Sequence, residues 1–215
     1  TLIQEATENL TPSNVIVNIS LTPSFATKWF LPRLGEFTEI HPDIDVRILA
    51  TEAQSSFAGD NTDIAVRQGK PPFPAHLQAE LLFPMTYIPV CSPQYRDKFL
   101  PKGAFEELEA ATFLFDAHNH WSAFLKVNAP DHKWKFQNAM TFNQTALAMD
   151  AAIAHQGIAL VSEVLAAADI ESGRLCRPFS QKLDGKTGYY LLSAKQFQSK
   201  AATNLTRDWL LDQAH

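Results

Sequence analysis

A few groupings in this 215-residue chain have the residue types for chemistry. His118-Asn119-His120 sets two imidazoles in one short stretch, the beginning of a metal site. Neighbouring loop side chains point apart, and no cysteine or carboxylate cluster joins them, so no metal is expected. Ser24 and Lys28 share a helix face, which would suit a lysine-activated serine nucleophile. Their spacing is four, not the three of the Ser-x-x-Lys motif. Glu106, Glu107 and Glu109 form a charge run that reads as a solvated helix face. Cys91 and Cys176 lie far apart in sequence and match no metal-ligand spacing. Cys91, in the apolar run from Tyr87, reads as a buried free thiol. Gly-x-Gly-x-x-Gly, a phosphate-loop lysine motif and a Gly-x-Ser-x-Gly elbow are all absent. Without a catalytic constellation the expectation is a non-enzyme that needs no cofactor.

The chemistry that remains is binding. Thr22-Pro23-Ser24-Phe25-Ala26-Thr27-Lys28-Trp29-Phe30-Leu31-Pro32-Arg33-Leu34 follows the apolar run Val15 to Leu21 and precedes a second strand-like run from Ile44. A strand therefore feeds a hydroxyl-rich turn, the turn opens an amphipathic helix, and the helix returns to a parallel strand. In such a unit the helix N-terminus directs unpaired N–H groups into the crevice at the strand C-terminal ends. That crevice suits a small anion or carboxylate.

The elements that must position this turn follow from local pattern. Residues 1–10 read as the end of a helix and 11–14 as a breaker cluster and linker. Thr22 suits an N-cap and Pro23 the first helical position. Phe25, Trp29, Leu34 and Phe37 form an apolar stripe, and Pro32 predicts a kink or break. Further helices are expected over 52–60, 93–100, 105–111, 121–127, 143–155, 162–173 and 197–213. Further strands are expected over 43–51, 62–67, 112–116, 135–142, 158–161 and 189–193. The apolar run 77–92 is broken by Pro84 and Pro89. Asn143 is expected to cap its helix and Gly157 to stop it in a left-handed conformation. Strand–helix alternation predicts a mostly parallel arrangement, and the strand number predicts two α/β lobes rather than one sheet.

Apolar residues make up 46% and charged residues 19%, the balance of a globular chain. The net charge of −5 argues against this segment gripping nucleic acid, which needs a basic face. No run approaches a membrane span, no signal peptide is visible, and nothing demands an oxidising compartment. The chain starts on Thr1, so it is expected to be processed, tagged or excised from something longer.

Five motifs in order resemble the effector-binding domain of LysR-type transcriptional regulators. They are Ser24-Phe25-Ala26 with Trp29 to Leu34, His41-Pro42-Asp43-Ile44-Asp45-Val46, Thr62 to Gly69, Pro89-Val90-Cys91-Ser92-Pro93, and Gly157-Ile158-Ala159-Leu160. The likeness is closest to the branch with the regulators of glycine cleavage and β-lactamase induction. It implies an α/β fold of two Rossmann-like lobes joined by two hinge strands, like a type II periplasmic binding protein. Residues 1–13 would be a linker-helix remnant, 14–87 plus 193–215 the first lobe, and 88–192 the second. A winged helix-turn-helix would precede them and carry all DNA contact. The resemblance further implies a cytoplasmic bacterial protein, a small-molecule effector, no membrane partner, and a homodimer that becomes a tetramer in the full-length protein. Trp29, Phe30 and Phe37 cannot all face one sheet, which predicts that the first-lobe helix pairs with the second-lobe helix of another copy. The branch often has Tyr after the strand arginine, where this chain has Gln68. Its hydroxyl cluster before the second-lobe helix is replaced by Asn143-Gln144-Thr145.

Within that frame the expected ligand contacts are Thr22, Ser24, Arg67, Gln68, Asn143, Thr145 and Tyr189. Ser24 reads as a ligand donor ahead of a plain cap, whereas Thr22 and Asn143 read as caps first. Arg67 offers either a carboxylate clamp or a structural ion pair. Thr145 mirrors Ser24 across the cleft. Gln68 lines the pocket or its wall, and Tyr189 either meets the ligand or fills the hinge. Trp121 reads as core. Two helix N-termini and an arginine favour an anionic ligand. The alternative is an extracytoplasmic solute-binding protein of the same two-lobed fold.

Overall fold

The computed structural model describes residues 15–55, 57, 59, 61–195 and 200–214; the expectations for 1–14 lie outside them. Strand β1 (Val15–Leu21) buries Val17, Ile19 and Leu21 by simple alternation. It delivers the chain to Thr22, after which a continuous helix α1 covers 23–40. Pro23–Phe25 starts that helix, Ala26–Phe30 forms a π-helical turn, and Leu31–Ile40 completes it. Pro32 cannot donate to the carbonyl of Lys28. The expected break appears instead as the wide turn just before the proline, in which Leu31 N–H reaches back to Ala26 O.

Strands β2 (Ile44–Ala50) and β3 (Ile64–Gly69) flank β1 in parallel. The helix expected over 52–60 does not form among the described residues: they are irregular, and Phe57 and Asn61 have φ of 58° and 52°. Strand β4 (Leu77–Val90) runs through both prolines as one element. Register shifts between Leu81 and Phe83, and between Pro84 and Thr86, let it pass Pro84.

Helix α2 (Pro93–Phe99), a 3-10 turn (Phe105–Ala110), β5 (Thr112–Phe115), α3 (Trp121–Asn128), β6 (Asn138–Thr141), α4 (Thr145–Ile153), β7 (Ile158–Ser162) and α5 (Glu163–Glu171) build the second half. Strand β8 (Leu183–Ala194) returns along β4 and β3, and α6 (Ala201–Asp212) closes the first half. The expected strand over 135–142 shortens to β6, and the start of the expected final helix at Phe197 lies outside the described residues. Gln144, not Asn143, is the residue before α4. The left-handed position after α4 falls on His155, at φ 63°, rather than on Gly157. Gly157 is needed for closeness: a Cβ there would meet the carbonyl oxygen of Thr112.

The hydrogen-bonded order is β2-β1-β3-β8-β4-β7-β5-β6, one curled sheet rather than two separate ones. It is mixed, not mostly parallel. The outer pairs are parallel, and the central β3–β8, β8–β4 and β4–β7 pairs are antiparallel. One apolar cluster runs from Val17 to Leu210 through both halves. Trp29, Phe30 and Phe37 are all buried within the chain. The sheet is not their sole cover: Trp29 packs on Phe25 and Phe83, while Phe30 and Phe37 pack on Trp209 of α6. Trp121 is core, as expected.

Candidate functional site

Helices α1 and α4 begin on opposite sides of a cavity of about 930 Å³. Strands β1 and β3 end at it, so Thr22, just after β1, and Arg67-Gln68, near the end of β3, become its wall. All seven residues singled out from the sequence, Thr22, Ser24, Arg67, Gln68, Asn143, Thr145 and Tyr189, line this one space.

Their hydrogen bonds differ from the expected roles. Ser24 Oγ accepts from the backbone N–H of Ala146 at 3.0 Å and donates to Gln144 Oε1 at 3.4 Å. It caps α4 from across the cleft. Thr145 Oγ1 donates to Asp116 Oδ2 at 2.7 Å, and Asp116 Oδ1 holds the N–H groups of His118 and Asn119, each at 3.0 Å. Thr22 precedes the helix but its hydroxyl does not cap it. Thr22 is instead buried at the cavity wall, 8% exposed, with its hydroxyl beside the Tyr189 phenol.

Arg67 is a brace. Its Nη1 donates to Ser20 O at 2.8 Å and Val66 O at 2.9 Å, and its Nη2 donates to Ser20 Oγ at 2.6 Å, Ala53 O at 2.9 Å and Ser55 Oγ at 3.2 Å. It thereby fixes the irregular 52–55 stretch against β1. Gln68 Nε2 donates to Tyr87 Oη and Thr187 Oγ1, both at 3.0 Å. Tyr189 is buried against Phe25, with ring centroids 5.0 Å apart, and burial pushes its phenol well above the usual range. Burial likewise raises Tyr87, more than its bonds to Gln68 and Thr187 lower it. Both phenols stay neutral and remain donors and acceptors.

The candidate chemistry does not assemble. Lys28 Nζ pairs with Asp150 at 2.6 Å and Asp169 at 3.4 Å, so neither it nor Ser24 serves the other. Glu107 is more than a solvated charge, because its carboxylate accepts from the N–H groups of Lys102 and Ala104. His118 and His120 stack at 6.1 Å, and no cluster of three metal-ligating side chains occurs among the described residues.

Sequence reading missed the apolar end of the cavity, formed by Phe57, Ala65, Phe73, Pro74, Leu77 and Leu192. Phe57, Ala65 and Leu192 belong to a small cluster separate from the main core. A helix over 52–60 would have hidden this end, and no local pattern announced its absence. Gln144 and Asp116 were also missed as partners of Ser24 and Thr145.

Residues 15–215 match the LysR substrate binding domain. The chain belongs to the LysR substrate-binding family. The glycine cleavage system transcriptional activator of Escherichia coli K12 is 34% identical over 215 residues, covering 99% of this chain and 70% of that protein. The transcriptional activator AmpR of Citrobacter koseri is 26% identical over 200 residues, covering 93% and 67%. Among solved structures, the effector domain of AmpR from Pseudomonas aeruginosa superposes with a TM-score of 0.75 at 23% identity, covering 93% of this chain and 95% of that one. The regulatory domain of CrgA from Neisseria meningitidis gives 0.76 at 19%, covering 93% and 98%. At these identities the structures speak for the fold alone. The fold expected from the resemblance is therefore the fold found, and the relatives are in the expected branch. The chain is a LysR-type effector-binding regulatory domain; the solute-binding-protein alternative falls away. No helix among the described residues is long and apolar enough to cross a membrane.

Proposed function

We propose that this domain senses a small carboxylate-bearing metabolite with an apolar body, bound in the cavity between α1 and α4. The carrying observation is the cavity's composition: a polar end with Thr22, Ser24, Gln68 and Thr145, and an apolar end at Phe57, Phe73 and Leu192. Helix N-termini favour an anionic head, and Arg67 and Lys70 add positive charge against the single lining carboxylate of Glu52 among the described residues. Thr22, Ser24, Gln68, Asn143, Thr145 and Tyr189 contact the polar head, with Arg67 holding the wall. The lobes are 14–87 plus 193–215 and 88–192, and ligand binding biases their relative angle. Bonds are neither made nor broken in the site. DNA is bound by a separate winged helix-turn-helix of the same cytoplasmic protein.

Calorimetric titration with a panel of amino acids, short aliphatic acids and aromatic acids tests this reading. A saturable ligand should appear, and Thr22→Val should weaken it roughly ten- to hundredfold, the value of a hydroxyl bonding a charged group. A ligand indifferent to Thr22→Val and Gln68→Ala would move the site elsewhere. The domain also self-associates in this reading, through the exposed Leu31 of α1 and Leu147 of α4 rather than the buried aromatics. Sedimentation at micromolar concentration should show a dimer that Leu31→Asp dissociates. A monomer at every concentration would refute it.

A further inference from the structure

The two cysteines of the chain are 85 residues apart, yet they face each other. Cys91 directly follows β4, and Cys176 lies in the segment between α5 and β8. They form an isolated antiparallel bridge in which Cys91 N–H donates to Cys176 O at 3.1 Å and Cys176 N–H donates to Cys91 O at 2.8 Å. Residues paired this way have Cα atoms about 5.5 Å apart and side chains on one face of the ladder. That spacing lies within the range a disulfide spans, about 4.4–6.8 Å. Both thiols are free.

Their surroundings are unequal. Cys91 is fully buried, whereas Cys176 is partly exposed. The Cys91 thiol donates toward Cys176 and the Arg96 guanidinium lies near, which together lower Cys176 to about 7; burial and Asp97 oppose them. Cys91 is raised correspondingly, first by the same contact and then by burial. The partly exposed Cys176 is the more readily ionised of the two, and Cys91 beside it is a protected thiol.

We propose that Cys91 and Cys176 are a redox-modification site that closes to an intramolecular disulfide under a peroxide. The Cys176 thiolate attacks the peroxide O–O bond. One oxygen stays on sulfur as a sulfenic acid, and the other leaves as hydroxide or alkoxide and takes a proton. The Cys91 sulfur then attacks the sulfenic sulfur, the S–S bond forms, and the departing hydroxide carries away the Cys91 proton as water. The two thiols lose two electrons and the peroxide gains them. The closed ring contains every element from α2 to α5, so oxidation would staple the second half at its base, where β4 leaves the central ladder and the chain turns toward β8.

The test is peroxide treatment of the purified chain followed by denaturing alkylation and intact-mass measurement. The expected product takes up no alkyl groups, has lost two hydrogens, recovers both alkylation sites on reduction and shows a raised Tm. Cys91→Ser and Cys176→Ser proteins should never acquire the internal bond. Cys91→Ser should accumulate the sulfenic form of Cys176, which a dimedone adduct reports. The proposal is overturned if Cys176 over-oxidises while Cys91 still alkylates, or if the only disulfide joins two chains.

Discussion

Ser24 on α1 supplies the cap that α4 lacks: its Oγ accepts the N–H of Ala146 at 3.0 Å, in the first turn of a helix from the other half of the fold. An N-cap normally precedes its own helix in sequence; here it comes from 122 residues away. The described form therefore has the two sides of the cleft in direct contact.

Ser24→Ala should lower stability by about 1 kcal/mol, the usual value of a cap. For a domain this size that is a Tm decrease of about 2–4 °C, readable by differential scanning fluorimetry. An unchanged Tm would mean the cross-cleft contact carries no weight in solution.

Lys28 reaches both Asp150 and Asp169, and the longer contact should matter more. The Asp150 carboxylate is 60% exposed, so its 2.6 Å pair is heavily screened. The Asp169 carboxylate is 2% exposed and also pairs with Arg174. Asp150→Asn should cost under about 1 kcal/mol. Asp169→Asn should cost more, about 1–3 kcal/mol, because a buried carboxylate that accepts from two cations is lost while Lys28 keeps Asp150 and Arg174 keeps solvent. Urea unfolding of the two variants decides the order.

Gly157→Ala would drive a Cβ into the carbonyl oxygen of Thr112 and to 2.9 Å from the Leu114 side chain. A backbone carbonyl cannot step aside as a long side chain can. The expected loss is about 1–3 kcal/mol. Gly35→Ala, where a Cβ meets nothing within 4 Å, is the control and should leave Tm unchanged or slightly raised.

His120 should make the domain acid-sensitive. Burial holds its imidazole below the ordinary 6.5, outweighing the upward pull of Asp116, while His118 pushes it further down. Its Nε2 is buried without a partner, and its ring lies against Tyr87. The unfolded chain takes the proton first as pH falls through 6.5, so this contribution to stability is present above that value and declines below it. Tm should drop between about pH 7.5 and about pH 5.5, and His120→Asn should flatten that slope. An identical slope in the variant would assign the acid sensitivity to other groups.

Much of the fold was legible because period-2 and period-3.6 patterns are local. Val15 to Leu21 and Ile158 to Ser162 are strands whose burial can be read from their own residues. What escaped the sequence was decided by distant partners. Residues 143–145 line the cavity, but the group that caps their helix is Ser24, from another part of the chain. The aromatics of α1 looked surplus until Trp209 arrived to cover them. The thiols looked unrelated until a two-residue bridge brought them together. Arg67 illustrates the limit at the site itself: its position at the end of β3 was readable, but the carbonyls that consume its donors belong to β1, to β3 itself and to a stretch with no regular pattern.

The central antiparallel ladder also fixes an order of events in the ribosome's time. Gln68 pairs with Tyr189, so β3 has no neighbour on that side until more than a hundred further residues have been synthesised. Pairings this distant slow folding. The first half emerges early with an open strand edge beside an apolar surface, a state prone to aggregation. Nascent chains stalled before residue 183 should accordingly engage chaperones or aggregate, and chains that include both β8 and α6 should not.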